Sequence, residues 1–427
     1  MTHPTQRRAR VVVLGAGFGG LTFCQAFRHE HAEITLVDRA NHHLFQPLLY
    51  QVATAGLSAP EIAAPVRSIF TGRPDVTVLM DEVRGIDLKA ASVTLGHGVV
   101  SYDYLVLALG GVTSYFGHPE WERYAPGLKS LEDAMRIRSE VLRSFEEAET
   151  ETDPDRRRAL MTLVVVGGGP TGVELAGAFA ELTRTVLARD FRRMDPRQVR
   201  VILIEAGPRI LGHLPEELSE SARRQLVNLG VEVRLSTRVA ELLEGEVHLQ
   251  GGEVLRARNI IWAAGVSASP LTRSLGVEVD RAGRIKVAPD LSVPGFERVF
   301  AIGDIALVLD EQGRPVPGVS PAAMQMGRHA AKLIQRELDA RHGMPVVRDP
   351  FRYWDKGTMA TIGRSAAVAK IGALELAGFP AWLAWLLVHL VFLIGFRNKL
   401  AVLLQWAYSY FTYKRGARII TRPEAFG

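Results

Sequence analysis

Two shortages mark this 427-residue sequence, and each excludes a class of protein. Cys24 is the only cysteine, so neither an internal disulfide nor a relay of paired thiols can form. Residues 381–420 contain five Lys or Arg and no Asp or Glu, a pattern that a helix in a protein core does not need. The first ten residues contain no apolar run, and we therefore expect no signal peptide.

Patterns for binding metals and nucleic acids are missing as well. His42 and His43 form a local pair without further ligands at metal-binding spacing. The net charge is +5, but no cluster of Lys and Arg is interleaved with aromatic residues that would stack on bases. We therefore expect neither a bound metal nor a nucleic-acid partner.

Two glycine-rich segments, 152 residues apart, each follow a continuous aliphatic run. Such a run is typical of a buried parallel strand, here 11–14 and 163–166. In each segment the first Gly allows a sharp turn, the second lets a pyrophosphate approach, and the third lets the next helix pack closely. We name them the first glycine loop, residues 15–20, and the second glycine loop, residues 167–172. Each is expected to bind one dinucleotide at a helix N-terminus.

An acidic residue at the end of a second strand accompanies each loop. Asp38 follows the run 34–37, and Glu205 follows the run 201–204. A carboxylate at this point binds ribose hydroxyls. Glu205 would repel the 2′-phosphate of NADPH, so the second glycine loop favours NADH, and Arg209 softens that preference. The alternative is that both segments are only structural turns.

A third apolar run, 299–302, ends in Gly303-Asp304. An acid at this position can bind the hydroxyls of a ribityl chain, which FAD has and NAD lacks. The dipeptide alone is equally consistent with a turn at the end of a strand, because Gly and Asp favour turns. Together with the first glycine loop it predicts a FAD-binding domain, which a helix from about Pro321 completes.

The C-terminal tail is strongly hydrophobic. Residues 381–396 contain one strongly polar side chain, His389, which is either a structural residue or a donor to a quinone. As a single helix of 16 residues they would extend about 24 Å, less than the bilayer core of about 30 Å. Five cations follow, at Arg397, Lys399, Lys414, Arg415 and Arg418. We expect two helices in one leaflet, with a dimer-interface helix and a true span as alternatives.

Electrons that a flavin takes from NADH need an acceptor. In related architectures a cysteine pair or a single cysteine beside the flavin receives them. Here Cys24 lies on the helix after the first glycine loop, and residues 41–51 contain no cysteine. The acceptor must therefore come from outside the chain, and the tail makes a membrane-dissolved quinone the natural candidate.

Stretches along nearly the whole chain resemble one family. They are 43–53, 167–177, 302–304, 355–363 and 389–418. In these stretches the chain resembles the type II NADH dehydrogenases, the single-subunit, non-proton-pumping NADH:quinone oxidoreductases, and most of all their actinobacterial members. The resemblance implies an α/β fold with two Rossmann-like dinucleotide-binding domains and C-terminal amphipathic helices that anchor the protein to a membrane. It also implies FAD and NAD(H) as cofactors.

The resemblance further implies which residues bind the cofactors. Those implied for FAD are Gly15, Gly17, Phe18, Gly19, Gly20, Asp38, Arg39, Gln46, Gly110, Asp304, Ser320 and Pro321. Those implied for NADH are Gly167, Gly169, Pro170, Thr171, Gly172, Glu205 and Gly265. Relatives usually have Thr where this chain has Leu109, next to one of these positions.

Two residues are implied in the catalytic chemistry. Glu174 would lie near the nicotinamide and the quinone and help to couple protons; the alternative is a Glu favoured by the helix dipole. The family's Ala-Gln-x-Ala-x-Gln motif corresponds to residues 320–325, where Pro321 replaces the first Gln. Gln325 remains as the candidate quinone-side donor, with a plain helix-surface glutamine as the alternative.

We predict a FAD-binding domain formed by 1–115 and 286–345, a connecting segment 116–159, an NADH-binding domain 160–285 and a membrane-associating region 346–427. We expect a monotopic homodimer at the cytoplasmic face of the inner membrane that uses menaquinone or ubiquinone. One alternative is a soluble NADH-flavin reductase of a protein electron carrier, with the tail as dimer interface. The other is a non-catalytic FAD/NADH redox sensor.

Overall fold

The computed structural model of this chain describes residues 7–187, 190–340, 346–412 and 416–420. The chain forms two compact units, each with its own parallel sheet. The first unit comprises Met1–His43, Ala64–Val112 and Val266–Asp355, and the second comprises Leu44–Ala63, Thr113–Gly265 and Lys356–Gly427. The boundaries of the FAD and NADH domains stay a prediction, because these units are defined by packing and not by ligand.

A six-stranded sheet forms the centre of the first unit. Its strands, in spatial order, are Ser292–Val293, Phe296–Ala301, Tyr104–Leu107, Ala9–Leu14, Ala32–Asp38 and Val76–Met80. All neighbours are parallel except the first pair. The central strand Ala9–Leu14 is fully buried from Val11 to Leu14, which explains its unbroken aliphatic run. The first glycine loop leaves the carboxyl end of this strand.

Two helices of the first unit, Phe18–Ala26 and Ser320–Asp339, pack closely against each other. A Cβ atom on Gly327 would lie 2.4 Å from the carbonyl oxygen of Gly19, so only glycine permits this approach. The remaining elements are the α-helix Val66–Ile69, the 3₁₀ turns Pro270–Ser274 and Gly303–Ile305, the antiparallel strands Val83–Asp87, Ser92–Leu95 and Gly98–Ser101, and the short strands His42–Leu44, Ala63–Pro65, Gly111–Thr113, Val266–Ala268, Ile285–Lys286 and Ala306–Leu307.

A four-stranded parallel sheet forms the centre of the second unit. Its strands, in spatial order, are Val231–Arg234, Arg200–Ile204, Thr162–Val166 and Asn259–Trp262. Trp262 and Trp121 pack beside Tyr115 in a buried aromatic cluster on one face of this sheet. The indole N–H of Trp262 donates to the carbonyl oxygen of Ser114 at 2.9 Å, which satisfies the buried donor.

Helices and two antiparallel sheets complete the second unit. The α-helices are Leu49–Ala53, Ala59–Ile62, Leu131–Thr150, Pro154–Leu160, Pro170–Glu181, Glu216–Asn228, Phe379–Phe392 and Phe396–Thr412. The shorter turns are 3₁₀ at Gln46–Leu48, Pro119–Arg123 and Pro196–Gln198, and π-helical at Leu182–Val186. The antiparallel strands are Val239–Leu243, Glu246–Leu249 and Val254–Arg256, then Thr358–Gly363, Ala366–Ile371 and Leu374–Ala377.

The tail forms two helices, as predicted, but their boundaries differ from those of the sequence pattern. The first helix, Phe379–Phe392, has 14 residues instead of the expected 16. Gly395, with φ of +84°, supports the turn that separates it from Phe396–Thr412. Arg397 and Lys399 therefore lie in the first turn of the second helix. Lys414 and Arg415 lie outside the described residues.

Candidate functional site

The second glycine loop has the geometry that a bound pyrophosphate requires. Gly167 has φ of +112°, and a Cβ there would lie 2.7 Å from the backbone nitrogen of Ala264. A Cβ on Gly172 would lie 1.8 Å from the carbonyl oxygen of Gly167. A Cβ on Gly169, in contrast, would meet no protein atom within 4 Å. Packing therefore explains two of these glycines, and open space beside the helix N-terminus explains the third.

Glu205 is fixed beside this loop by two backbone N–H groups. Its carboxylate accepts hydrogen bonds from Gly168 and Gly207, each at 2.6 Å. With Arg209, these residues line an open cleft of about 370 Å³. A carboxylate has about four acceptor positions, so two accepted bonds leave others available. A ribose diol is the group that these acceptors suit.

The first glycine loop repeats the same design. Gly15 has φ of +105°, and a Cβ on Gly20 would lie 1.9 Å from the carbonyl oxygen of Gly15. A Cβ on Gly17 would meet nothing within 4 Å. Asp38 accepts hydrogen bonds from the backbone nitrogens of Ala16 at 2.6 Å and Ala40 at 2.7 Å. Arg39, also expected at this site, is exposed.

A cleft within the first unit gathers further residues predicted for FAD. Asp304 follows the strand Phe296–Ala301, on a 3₁₀ turn whose Gly303 has φ of +73°. Gly303 and Asp304 line this cleft with residues 316–319 and the start of the helix Ser320–Asp339. Pro321 lies in the first turn of that helix, where its missing N–H costs no hydrogen bond.

His43 is a residue that the sequence analysis did not assign to any site. Its Nδ1 lies 2.8 Å from the carbonyl oxygen of Ala16 in the first glycine loop, and its ring meets the Phe18 ring edge-on at 5.1 Å. Nε2 is buried and has no protein partner. Burial lowers the pKa of His43, so the ring is neutral, Nδ1 donates to Ala16, and Nε2 is an acceptor. The one available signal was its place in the stretch 43–53.

Glu174 lies inside the helix Pro170–Glu181, and that helix packs very closely on the strand Thr358–Gly363. A Cβ on Gly177 would lie 1.6 Å from the carbonyl oxygen of Ile362. Burial raises the pKa of the Glu174 carboxyl well above its usual range, and a hydrogen bond from the Thr361 backbone only partly offsets that effect. The first turn of this helix contains no acidic residue, so the helix dipole does not account for Glu174.

Gln325, Gln46 and Gly110 are the remaining residues that the sequence predicted for the site. The Gln325 amide donates to the carbonyl oxygen of Trp354 at 3.0 Å and accepts from its backbone nitrogen at 2.9 Å. Gln46 lies in the second unit, where its amide donates to the carbonyl oxygen of Lys129 at 3.3 Å. Gly110 has φ of +69°, and a Cβ there would meet no atom within 4 Å.

The tail helices pack on the segment 44–63 through aromatic and amide contacts. His389 stacks on Trp385 at 4.1 Å, and its Nδ1 lies 2.7 Å from the Trp385 carbonyl oxygen. Burial lowers the pKa of His389 to about 4. The Trp406 indole donates to the side chain of Gln51 at 2.9 Å. The ring of His389 is packed against Trp385 and neutral, and its role as a structural residue or as a donor to a quinone stays a prediction.

Cys24 is inaccessible. The thiol is fully buried, and burial raises its pKa, so it cannot supply the thiolate that redox exchange needs. Within the described parts of the chain, no three His, Cys, Asp or Glu side chains form a group that would hold a metal ion.

Comparisons with known proteins show the family to which the chain belongs. Residues 9–327 match the model of the pyridine nucleotide-disulphide oxidoreductase family. The type II NADH:quinone oxidoreductase Ndh of Mycobacterium tuberculosis is 44% identical, over 100% of this chain and 93% of that protein. This chain belongs to the type II NADH:quinone oxidoreductases.

Other relatives and solved structures extend the comparison. The demethylphylloquinone reductase NdbB of Synechocystis is 31% identical, over 94% of this chain and 96% of that protein. The structure of NDH2 from Plasmodium falciparum in complex with NADH has a TM-score of 0.88 at 19% identity and covers 97% of this chain and 100% of that one. This similarity confirms the predicted α/β fold with Rossmann-like domains. The predicted family and enzyme class are confirmed by the curated relatives.

Proposed function

We propose that this protein oxidises NADH and reduces a membrane quinone without pumping protons. The observation that carries the proposal is a pair of nucleotide loops of one design in a chain whose single thiol, Cys24, is buried. When bound, FAD would supply the redox chemistry, the transfer of two electrons from NADH to a quinone. The protein's own part is to bind, to orient and to handle protons.

FAD fits the residues of the first unit. Gly17 leaves open space beside a helix N-terminus, where the pyrophosphate would be stabilised by free N–H groups. Asp38 would bind the ribose of the adenosine half, and Asp304 the ribityl hydroxyls. The unpartnered Nε2 of His43 is an additional acceptor beside the same loop.

NADH fits the second glycine loop. Gly169 leaves space for its pyrophosphate, and Glu205 is already oriented by Gly168 and Gly207 to accept from its adenosine ribose. A fixed carboxylate lowers the entropy lost on binding and disfavours a 2′-phosphate. Catalysis by these residues is positioning of the nicotinamide for hydride transfer.

Glu174 is our candidate for the proton carrier. Its raised pKa favours the protonated form of the carboxyl, which can give its proton to a reacting group. Quinone reduction consumes two protons, and a buried carboxyl is suited to deliver one of them. The Gln325 side chain has a second amide N–H besides the one that donates to the carbonyl oxygen of Trp354. This second N–H is our candidate donor to a quinone oxygen.

The first tail helix carries two apolar faces, and only one is covered. Ala381 and Trp385 of this helix are buried, as is Leu393, which follows its last residue. The opposite stripe, also at intervals of four, is exposed: Phe379, Leu383, Leu387 and Val391, with Val391 at 66% exposure. An uncovered apolar stripe of this length marks an interaction surface.

We assign that stripe to the lipid surface. At 14 residues the helix extends about 21 Å, and no helix within the described ranges is both long and apolar enough to cross a bilayer. Arg397 and Lys399 follow at once, where anionic headgroups would meet them. We therefore propose a monotopic enzyme at the cytoplasmic face of the inner membrane, active as a homodimer with menaquinone or ubiquinone.

Stopped-flow mixing tests the reaction. The purified holoenzyme should lose its flavin absorbance on mixing with NADH and recover it on mixing with a short-chain quinone. Recovery only with a soluble electron-carrier protein would indicate a carrier reductase. A flavin that is reduced but not reoxidised by either acceptor would indicate a redox sensor.

Flotation with anionic phospholipid vesicles tests the membrane assignment. Leu387→Glu places a charge in the exposed stripe and should abolish flotation, while Val99→Glu, at an equally exposed apolar residue of the first unit, should not. If Leu387→Glu floats like the wild type but dissociates a dimer in sedimentation, the stripe is a subunit interface.

A further inference from the structure

Phe116 combines two features that are individually uncommon and together point to a function. Its φ is +53°, in the left-handed region that bulky side chains avoid. Its side chain is also 68% exposed, so core packing does not explain an aromatic residue here. Strained backbone at a residue that the core does not require is a reason to look for a functional role.

The Phe116 ring lies against Gly265. A Cβ on Gly265, which has φ of +79°, would be 2.6 Å from the ring atom Cζ of Phe116. The ring of Trp262 flanks Phe116 at a centroid distance of 6.4 Å, and Trp262 is itself held by the carbonyl oxygen of Ser114. The ring of Phe116 therefore has a defined position, although most of its surface faces solvent.

This position of the ring lies at the edge of the parallel sheet where we propose that NADH binds. The strand Thr162–Val166 has Arg200–Ile204 on one side and Asn259–Trp262 on the other. The strand order therefore reverses between Thr162–Val166 and Asn259–Trp262. Dinucleotides bind at such a switch point, with the adenosine half toward the acidic side and the nicotinamide half toward the other. Glu205 marks the adenosine side, and Gly265 follows the strand on the nicotinamide side.

We propose that Phe116 forms an aromatic wall for the nicotinamide end of NADH. The proposal rests on the proposed oxidation of NADH and adds a residue that no motif assigned. A flat apolar ring suits the face or edge of a nicotinamide, and a side chain at Gly265 would displace the ring from its present position.

Ligand truncation separates this role from a structural one. ADP-ribose contains everything in NAD⁺ except the nicotinamide, so only NAD⁺ can contact the wall. In calorimetric titrations of the FAD-loaded enzyme, Phe116→Asn should weaken NAD⁺ binding roughly fivefold and leave ADP-ribose binding unchanged. Phe116→Tyr should retain both affinities, and so should Val99→Ala, which truncates another exposed apolar side chain.

Folding of the variants is expected to be intact, because Asn and Gly tolerate a positive φ better than Phe. Phe116→Gly therefore provides a second variant if Phe116→Asn is unstable. Equal losses for NAD⁺ and ADP-ribose, or no loss for either, would overturn the proposal. A wild-type enzyme that binds NAD⁺ through Phe116 but does not oxidise NADH would contradict the proposed reaction and leave this wall in place.

Discussion

Gly169→Ala separates ligand binding from folding in the second glycine loop. Gly169 has φ of −72° and ψ of 179°, which any residue adopts, and its Cβ would meet no protein atom within 4 Å. The free energy of unfolding without ligand should therefore stay the same or rise by about 0.4–1 kcal/mol, since Ala restricts the unfolded chain more than Gly. The added methyl group instead occupies the space reserved for the pyrophosphate.

The cost should appear only when the ligand is present. At a NAD⁺ concentration of about 100 times Kd, the wild type gains about 2.7 kcal/mol of stability. If the methyl group weakens binding about tenfold, this gain falls to about 1.4 kcal/mol. Thermal unfolding with and without NAD⁺ measures both quantities, and the KM for NADH should rise in parallel.

Gly172→Ala is the matched control in the same loop. Its Cβ would lie 1.8 Å from the carbonyl oxygen of Gly167, a backbone atom that cannot move freely. This variant should lose about 1–3 kcal/mol of stability or more even without ligand. The reasoning is refuted if Gly169→Ala is destabilised without ligand, or if it binds NAD⁺ as tightly as the wild type.

Three further predictions concern the second unit. The raised pKa of Glu174 means that its stability contribution is complete below the ordinary value of 4.5 and is lost as the pH rises from there through the folded pKa. Glu174→Gln should remove this loss from the pH dependence of the melting temperature. The pKa of His389, lowered from 6.5 to about 4, means that stability falls as the pH drops between those values, by up to about 3 kcal/mol. His389→Phe should remove this loss of stability at acid pH. An unchanged pH dependence would refute the lowered pKa of His389. Gly177→Ala places a Cβ 1.6 Å from the Ile362 carbonyl oxygen and should lower the free energy of unfolding by roughly 2–3 kcal/mol. Gly72→Ala is the control, because its Cβ meets no atom within 4 Å. Equal melting temperatures for the two variants would contradict the close packing at Gly177.

The parallel sheets and glycine loops could be predicted from the sequence because each element there carries a local signal. The run 11–14 is aliphatic because both faces of its strand are covered, and Gly15 turns the chain at its end. Asp38 and Glu205 could be placed for the same reason, since Asp38 ends and Glu205 directly follows a strand that pairs in parallel with the strand before the loop.

The contacts that no local pattern encodes were missed. Nothing near His43 in the sequence indicates that it meets the carbonyl oxygen of Ala16, 27 residues away. Burial of Glu174 depends on the strand Thr358–Gly363, which lies far along the chain. The strain at Phe116 is a backbone dihedral that its residue type argues against.

The helix boundaries of the tail were missed for a different reason. Hydrophobicity continues from Phe392 through Phe396, so composition does not mark the end of the first helix. The break depends on Gly395 and its positive φ, and a single Gly inside an apolar run is also compatible with a continuous helix.

The most direct measurement is a stopped-flow comparison of the wild type with Cys24→Ala, because electrons are expected to leave the flavin without a thiol. Both enzymes should contain bound flavin, lose its absorbance on mixing with NADH, and recover it at the same rate on mixing with a menaquinone or ubiquinone analogue. A preparation without flavin, a reduced flavin that ignores both quinones, or a large loss of rate in Cys24→Ala would contradict direct transfer to a quinone.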